Sequence, residues 1–280
     1  MRAIKINKSI MKENGYKLIG QVAIPEEIMY QGERCKVTGI EKFAFRGCRR
    51  MKSVVIPKTV VDIGNYAFSR CIHLNEVTFE GDSQSQLKHI GRSAFAWTAI
   101  VHLMLPPNVI SLDKFAFADN HHMLTMALPN ALKTIDSYAF NNCCNLESVT
   151  IPDSVVYLGE NVFEGCEGLS NIMLSANIYE LTQGTFTDCW ALKEVTIPEG
   201  ISRMSLRAFD GCANIKKIHI PVSMEVIKEN HWLWQHHFQH FTYNGSMEDW
   251  HEMWDRYNNA SLPLTHDIRC TDGVIHRCTQ

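Results

Sequence analysis

Apolar residues return along this chain in a figure of nearly constant length. Its fixed point is a Phe, usually preceded by Ala: Phe45, Phe68, Phe95, Phe117, Phe140, Phe163, Phe186 and Phe209, with Trp232 in the ninth place. The steps between them are 23, 27, 22, 23, 23, 23, 23 and 23. An apolar residue stands five before each ring (Ile40, Ile63, Ile90, Leu112, Ile135, Leu158, Leu181, Met204, Ile227). Three more follow at six, nine and eleven after it, as in Leu146, Val149 and Ile151, and then usually a proline: Pro57, Pro106, Pro129, Pro152, Pro198, Pro221.

The L-x-x-V-x-I-P stretch alternates and is rich in β-branched residues, which predicts a short strand. Proline ends it, because a residue without an N–H cannot continue a central ladder. The remainder of a unit, for example VVYLGENVFEGC, has Gly, Asn and Asp where turns need them and is too short for a helix. It predicts a tight turn with one 3₁₀ turn around the Phe, with Gly64-Asn65 at the bend of the second unit. A regular period in the 20 to 29 range predicts a leucine-rich-repeat solenoid: a parallel β-sheet on one face, irregular or 3₁₀ return arms behind it, and strands about 4.8 Å apart.

Three residues after the Phe comes Cys48, Cys71, Cys143, Cys166, Cys189 or Cys212, with Asn120 and Gln235 substituting in two units and Thr98 in the shortened third one. Recurrence on one facet predicts an inward ladder of free thiols rather than disulfides or a metal site, since Cys is among the most buried residue types. Cys35, Cys144, Cys270 and Cys278 lie outside it, and of these only the last two are placed to pair with each other.

A stack of coils needs covers at both ends. At the front, Ile19, Val22, Ile24 and Pro25 reproduce the strand half of a unit, which predicts a half-repeat cap. At the back, Ser246 precedes Met247, Trp250, Trp254 and Tyr257 at helical spacing, and DIRCTDGVIHR reads as two strands turning through Asp272-Gly273. The organisation expected is therefore a cap over 1–39, about nine repeats over 40–244 and a C-terminal capping module, helix plus hairpin, over 245–280.

Composition adds exclusions. In 280 residues with a net charge of −3 there is no run of five or six like charges, so no footprint for nucleic acid is present. No apolar stretch is long enough to insert in a membrane. The opening MRAIKINKSIMKENGYKLIG lacks the apolar core of a signal peptide, which points to the cytoplasm for the chain as written, and to the surface or secretion where a leader has been removed.

LESVTIPDSVVYLGENVFEGC resembles the unit of the BspA-like leucine-rich repeats of bacterial and some protozoan surface proteins, and the resemblance runs from about residue 19 to 243. IPEEIMYQGERCKVTGIEKFAF is similar to the opening segment of such arrays, and FTYNGSMEDWHEM with RCTDGVI to a module that follows them. The resemblance implies a curved solenoid that binds by its surface, most often in adhesion, with no catalytic activity and no cofactor.

The residues agree on chemistry. His251-Glu252 opens an HExxH pattern that Asp255 breaks, and there is no nucleophile elbow, phosphate loop or dinucleotide motif. His236, His237 and His240 alternate with Phe238 and Phe241 and read as surface histidines rather than metal ligands.

Positions eight and ten after each Phe, shifted to seven and nine by the deletion in the third unit, must face away from the core. They include Ser53, Glu76, His102, Thr125, Ser148, Asn171, Glu194 and Lys217 in one row, and Val55, Thr78, Met104, Ala127, Thr150, Met173, Thr196 and His219 in the other. Exposed Met104 and Met173, with Val101, His102, Leu124, Thr125, Ala127 and Thr150, form the candidate ligand surface, rimmed by the insertion GDSQSQ. The function expected is recognition of a protein or cell-surface ligand there. The alternative is an intracellular or virion-associated assembly part.

Overall fold

The computed structural model describes residues 1–228, 240–257 and 267–276. Trp232, Gln235, His236, His237 and Cys278 lie outside these, so the ninth ring, the histidine cluster and the Cys270–Cys278 pairing have no structural account.

Coils stack as the period requires, with two ladders of parallel strands rather than one. The broad ladder is the predicted one, built from strands such as Met51–Ile56, His102–Met104 and Ser148–Thr150. The residue five before each Phe adds a narrow ladder: Asp62–Ile63, His89–Ile90, Ser111–Leu112, Thr134–Ile135 and Tyr157–Leu158 pair in sequence, Ile on Ile or Leu. The six strand-ending prolines mark corners, their carbonyls accepting the N–H three residues on, as Pro57 O does from Val60 N–H and Pro152 O from Val155 N–H.

Inside, Phe45 to Phe209 form one column of fully buried rings. Neighbouring centroids are 5.2, 5.1, 5.4, 5.7, 5.5, 5.7 and 5.5 Å apart and the rings nearly parallel. Those distances lie in the 4.5–7 Å range of favourable aromatic pairs, worth about 0.5–1.5 kcal/mol each beyond the area they bury.

The return arm holds the same register through its backbone. The Phe45 N–H donates to Ala67 O at 2.7 Å, Phe68 to Ala94 O at 2.7 Å, and so on to Phe186 and Ala208 O at 2.7 Å. Two residues before and two after the Phe, the chain is left-handed: Tyr66 and Arg70 in the second coil (φ 59 and 60°), Tyr138 and Asn142 in the fifth (62 and 57°). The bend thus falls on Tyr66, not on Gly64. A Cβ on Gly64 would lie 2.6–2.8 Å from backbone atoms of Ile40, Glu41 and Lys42, so that glycine is there for close approach of two coils.

Five of the six ladder thiols are buried, while Cys48, in the first coil, is only half-buried. Cys71, Cys143, Cys166, Cys189 and Cys212 donate to the carbonyl of the preceding coil's Phe at 3.0–3.4 Å. Asn120 makes the same bond to Phe95 O at 2.9 Å, and Thr98, in the thiol's place, donates to Asn120 Oδ1. Burial pushes these thiols up, Cys71 and Cys212 to about 12.

At the front, Gly20–Ala23 supplies the predicted strand, its Val22 paired with Val54, although Ile19 is 47% exposed. Ahead of it the first residues complete a whole coil. Arg2–Ile6 extends the narrow ladder with Ile6 on Ile40, and α1 (Lys8–Glu13), capped by Asn7, takes the return arm's place. Met11 follows Ile6 by five, as each Phe follows its Ile, and is fully buried. A hairpin, Glu27–Tyr30 with the start of Glu33–Ile40, turns through left-handed Gln31 and Gly32.

At the back, Ser246 and Asp249 cap α2 (Met247–Tyr257) reciprocally: Asp249 N–H donates to Ser246 Oγ at 3.1 Å and Ser246 N–H to Asp249 Oδ2 at 2.8 Å. Trp250 packs edge-on to Phe241 and Tyr243. The predicted hairpin forms through Asp272-Gly273, and its Ile268–Arg269 strand pairs in parallel with His240–Tyr243, covering the last edge of the broad ladder.

Phe140→Ala removes a ring stacked on two sides and is expected to lower unfolding free energy by about 3–5 kcal/mol in a denaturant titration. The thiols predict an alkaline limit. The unfolded chain gives up these protons near 9.0, Cys71 and Cys212 in the fold only near 12, so their contribution is complete below pH 9 and is lost as pH rises toward 12. Thermal midpoints measured from pH 8 to 11 should fall, and fall less steeply in the C71A/C212A double variant.

Candidate functional site

Alternation places the candidate residues where a partner can reach them. In His102–Met104, Thr125–Ala127, Ser148–Thr150 and Asn171–Met173 the middle residue (Leu103, Met126, Val149, Ile172) enters the core and its two neighbours face out. Pairing of His102 with Thr125, Thr125 with Ser148 and Ser148 with Asn171 makes one outer row. Met104, Ala127, Thr150 and Met173 make the other. The deleted residue of the third unit is therefore absorbed before the strand, leaving Met104 in step. His102 Nδ1 lies 2.9 Å from Thr125 Oγ1, fixing the imidazole along the row.

These four strands form a block of their own. The broad ladder is interrupted on one side beyond Glu76–Phe79, where the GDSQSQ insertion folds into a 3₁₀ turn at Asp82–Gln84, and on the other between Asn171–Met173 and Glu194–Thr196. The narrow ladder breaks at the second place too, between Tyr157–Leu158 and Glu180–Leu181. There Ser175 stands where most units have proline, its hydroxyl donating to Val155 O at 2.9 Å. The Phe163–Phe186 stack continues beneath, so the core is unbroken while the surface opens into a concavity of about 510 Å³ beside Met173.

Met104 and Met173 do not touch. They occupy the outermost strands of the block, 76% and 61% exposed, with Ala127 and Thr150 between them. Three strand steps of about 4.8 Å separate them. The surface is thus a shallow saddle with a flexible thioether at each end and small side chains on its floor. Val101 and Leu124 sit half-buried just ahead of their strands, joined by the Leu124 N–H to Val101 O bond at 2.8 Å.

Charge sets its limits. Coils beyond the break carry Glu194, Lys217 and His219 on the same face, with Glu194 held by Lys217 at 3.2 Å and His219 at 3.3 Å. The Lys217 hydrogen bond pulls the Glu194 carboxyl below its usual range. Glu76 stands on the other flank, while none of the eight outward positions within the block bears a carboxylate, Lys or Arg. Ser53, expected outward in the first coil, is buried at 7% exposure, where the pairing with Gly20–Ala23 slips register.

The described residues hold no cluster of three His, Cys, Asp or Glu side chains able to bind a metal, and no helix among them is long and apolar enough to cross a membrane. His121 Nδ1 lies 3.1 Å from Cys144 Sγ, but burial holds that thiol above its ordinary range, the reverse of an activated thiolate.

Behind the sheet, on the outside of the return arms, lies a second set of stacked rings that the spacing of the buried Phe residues did not predict. Phe43 stacks on Tyr66 at 5.1 Å and Phe115 on Tyr138 at 4.8 Å, an outer column of rings two residues before the buried one. Its signal was in the repeated phrases FAF and YAF, whose first ring tracks the second.

A family model described as BspA type leucine rich repeat region matches residues 38–169 and 111–239, in six copies. No curated protein matches the chain. Among solved structures it is similar to a leucine-rich cell surface protein of Faecalibacterium prausnitzii (22% identity, 89% of this chain and 92% of that one, TM-score 0.35). It is similar too to a leucine-rich repeat protein of T. pallidum (21%, 76% and 72%, TM-score 0.41) and to the pneumococcal vaccine antigen PcpA (15%, 97% and 92%, TM-score 0.42).

Oxidation should read the exposure pattern directly. Under limiting peroxide, Met104 and Met173, with Met1 and Met29, are expected to form sulfoxide first, while Met51, Met123 and Met204 remain reduced until the chain unfolds. Peptide mass mapping checks the order.

Proposed function

The chain belongs to the BspA-type leucine-rich-repeat family, and from that premise we propose that it is a non-enzymatic binding protein, adhesin-like, that recognises a protein or cell-surface ligand on the saddle between Met104 and Met173. One observation carries this reading: a four-strand block with no outward carboxylate, Lys or Arg, ended by two exposed methionines and flanked by coils that carry Glu76 on one side and the Glu194–Lys217 pair on the other. Thioether side chains adapt to a partner's relief at little cost, and an uncharged patch of this kind is more use to a binding protein than to a free one. Thr125, Ser148 and Thr150 supply hydroxyls for orientation between the two ends.

The double variant M104K/M173K places two ammonium groups on the saddle without touching the core. It is expected to keep the thermal midpoint within about 2 °C, since surface substitutions of this type rarely exceed ±0.5 kcal/mol. Capture of proteins from an array of purified cell-surface proteins should drop at least tenfold. Undiminished capture would remove the saddle from the binding surface. A defined oligomer in solution that the same variant dissolves would instead assign this face to self-assembly.

A further inference from the structure

The outer ring column has a gap of one ring, and we propose that the gap is a second binding site, taking an aromatic side chain from an acidic segment of a partner protein. The site lies on the return-arm side and does not depend on the reading of the saddle.

The geometry starts from the backbone. Phe43, Tyr66, Ser93, Phe115 and Tyr138 occupy equivalent places in five successive coils, all left-handed, at φ 59, 59, 51, 59 and 62°. Their N–H groups donate to the next coil's Asn65, Arg92, Lys114, Ser137 and Glu160 carbonyls in one unbroken series. Four of the five carry rings, and those rings stack pairwise on either side of Ser93. Ser93, at 7% exposure, forms the floor of a slot walled by Tyr66 and Phe115.

The width of the slot follows from the inner column, whose rings in the same three coils step by 5.1 and 5.4 Å. A planar ring lying over Ser93 would therefore stand about 5 Å from each wall, within the 4.5–7 Å of a favourable aromatic pair. The concavity measures about 260 Å³, below the roughly 300 Å³ at which small-molecule pockets begin. That size suits one anchoring side chain of a larger partner rather than a free ligand.

Charge selects the kind of partner. Arg46, Arg70 and Arg92 border the slot. The Arg46 guanidinium lies 5.6 Å from the Phe43 centroid and 5.9 Å from that of Tyr66, and Arg92 lies 5.7 Å from that of Phe115. Asp119, the one carboxylate on the rim, accepts a hydrogen bond from Asn142 Nδ2 at 3.0 Å. Three guanidiniums against one engaged carboxylate favour an anionic segment, and an entering ring would free Arg92 from Phe115 to meet a carboxylate of that segment.

The probe is an acetylated, amidated hexapeptide Glu-Asp-Tyr-Asp-Glu-Gly, titrated calorimetrically against the full chain at low and moderate salt. Binding is expected, about tenfold weaker with Leu in place of the Tyr and weaker again as salt rises. Ser93→Phe completes the column at a φ its four neighbours already adopt with rings, so the fold should persist while binding falls at least tenfold. Arg92→Gln and Arg46→Gln, both exposed or half-exposed surface changes, should each weaken binding several-fold and serve as the second measurement should S93F fold poorly. M104K/M173K should leave this binding unchanged, which separates it from the saddle. Equal binding by the Leu peptide, or by S93F and the Arg variants, overturns the proposal. Binding of 4-hydroxyphenylacetate as tight as that of the peptide overturns the assignment to a protein segment.

Discussion

Everything in this molecule depends on the step from one coil to the next. At each step a Phe N–H meets the carbonyl ahead of the following Phe and the two rings stack, and at most steps a thiol reaches back to the Phe carbonyl behind it. A coil has no core of its own: half of each ring's contacts belong to the neighbour, so stability accrues between units and not within them. The constraint is strict because the backbone bond and the ring contact close at every step from Phe45 to Phe209, and the third contact closes at all of them but Phe68 to Phe95. Asn120 shows how it is met when the residue changes, since its amide makes the thiol's bond and leaves its carbonyl for Thr98.

That strictness leaves the outside free. Outward positions of the sheet contact no neighbouring coil's core, and they vary from Met to Glu without disturbing the stack. The surface is divided where the interior is not: strand pairing lapses at the insertion after Glu76–Phe79 and again where Ser175 replaces proline, while the ring column passes both places intact. The saddle lies between these interruptions, and the slot at Ser93 occupies a coil adjacent to the first of them. Local irregularity in a repetitive scaffold thus produces the features that differ from coil to coil, which are the ones able to discriminate a partner.

Much of the fold was legible because it is repetitive and buried. The positions of Phe, of the Ile five before it and of Cys could be read from spacing alone, and so could α2, where Trp250 and Trp254 recur at helical spacing behind a Ser cap. The first coil was not legible, because Met11 replaces the ring and α1 replaces the turn, so RAIKI and KSIMKE match no unit by eye; only their place against Glu33–Ile40 reveals them. The left-handed positions escaped for another reason. They are filled by residues as different as Tyr66, Arg70, Ser93 and Asp119, since the hydrogen bond to the next coil imposes the conformation whatever the side chain. Gly64, which looked like the bend, is instead where two backbones come closest.

The sequence by itself determined the period, the inward and outward faces and the exposure of Met104 and Met173, because alternation and burial are properties of neighbours along the chain. Tertiary structure alone decided that those methionines stand at opposite ends of one uncharged block, that the block is cut off on both sides, and that the missing ring at Ser93 leaves a space between Tyr66 and Phe115. Such relations join residues 22 or more positions apart, and they exist only once the coils are stacked and their register is fixed.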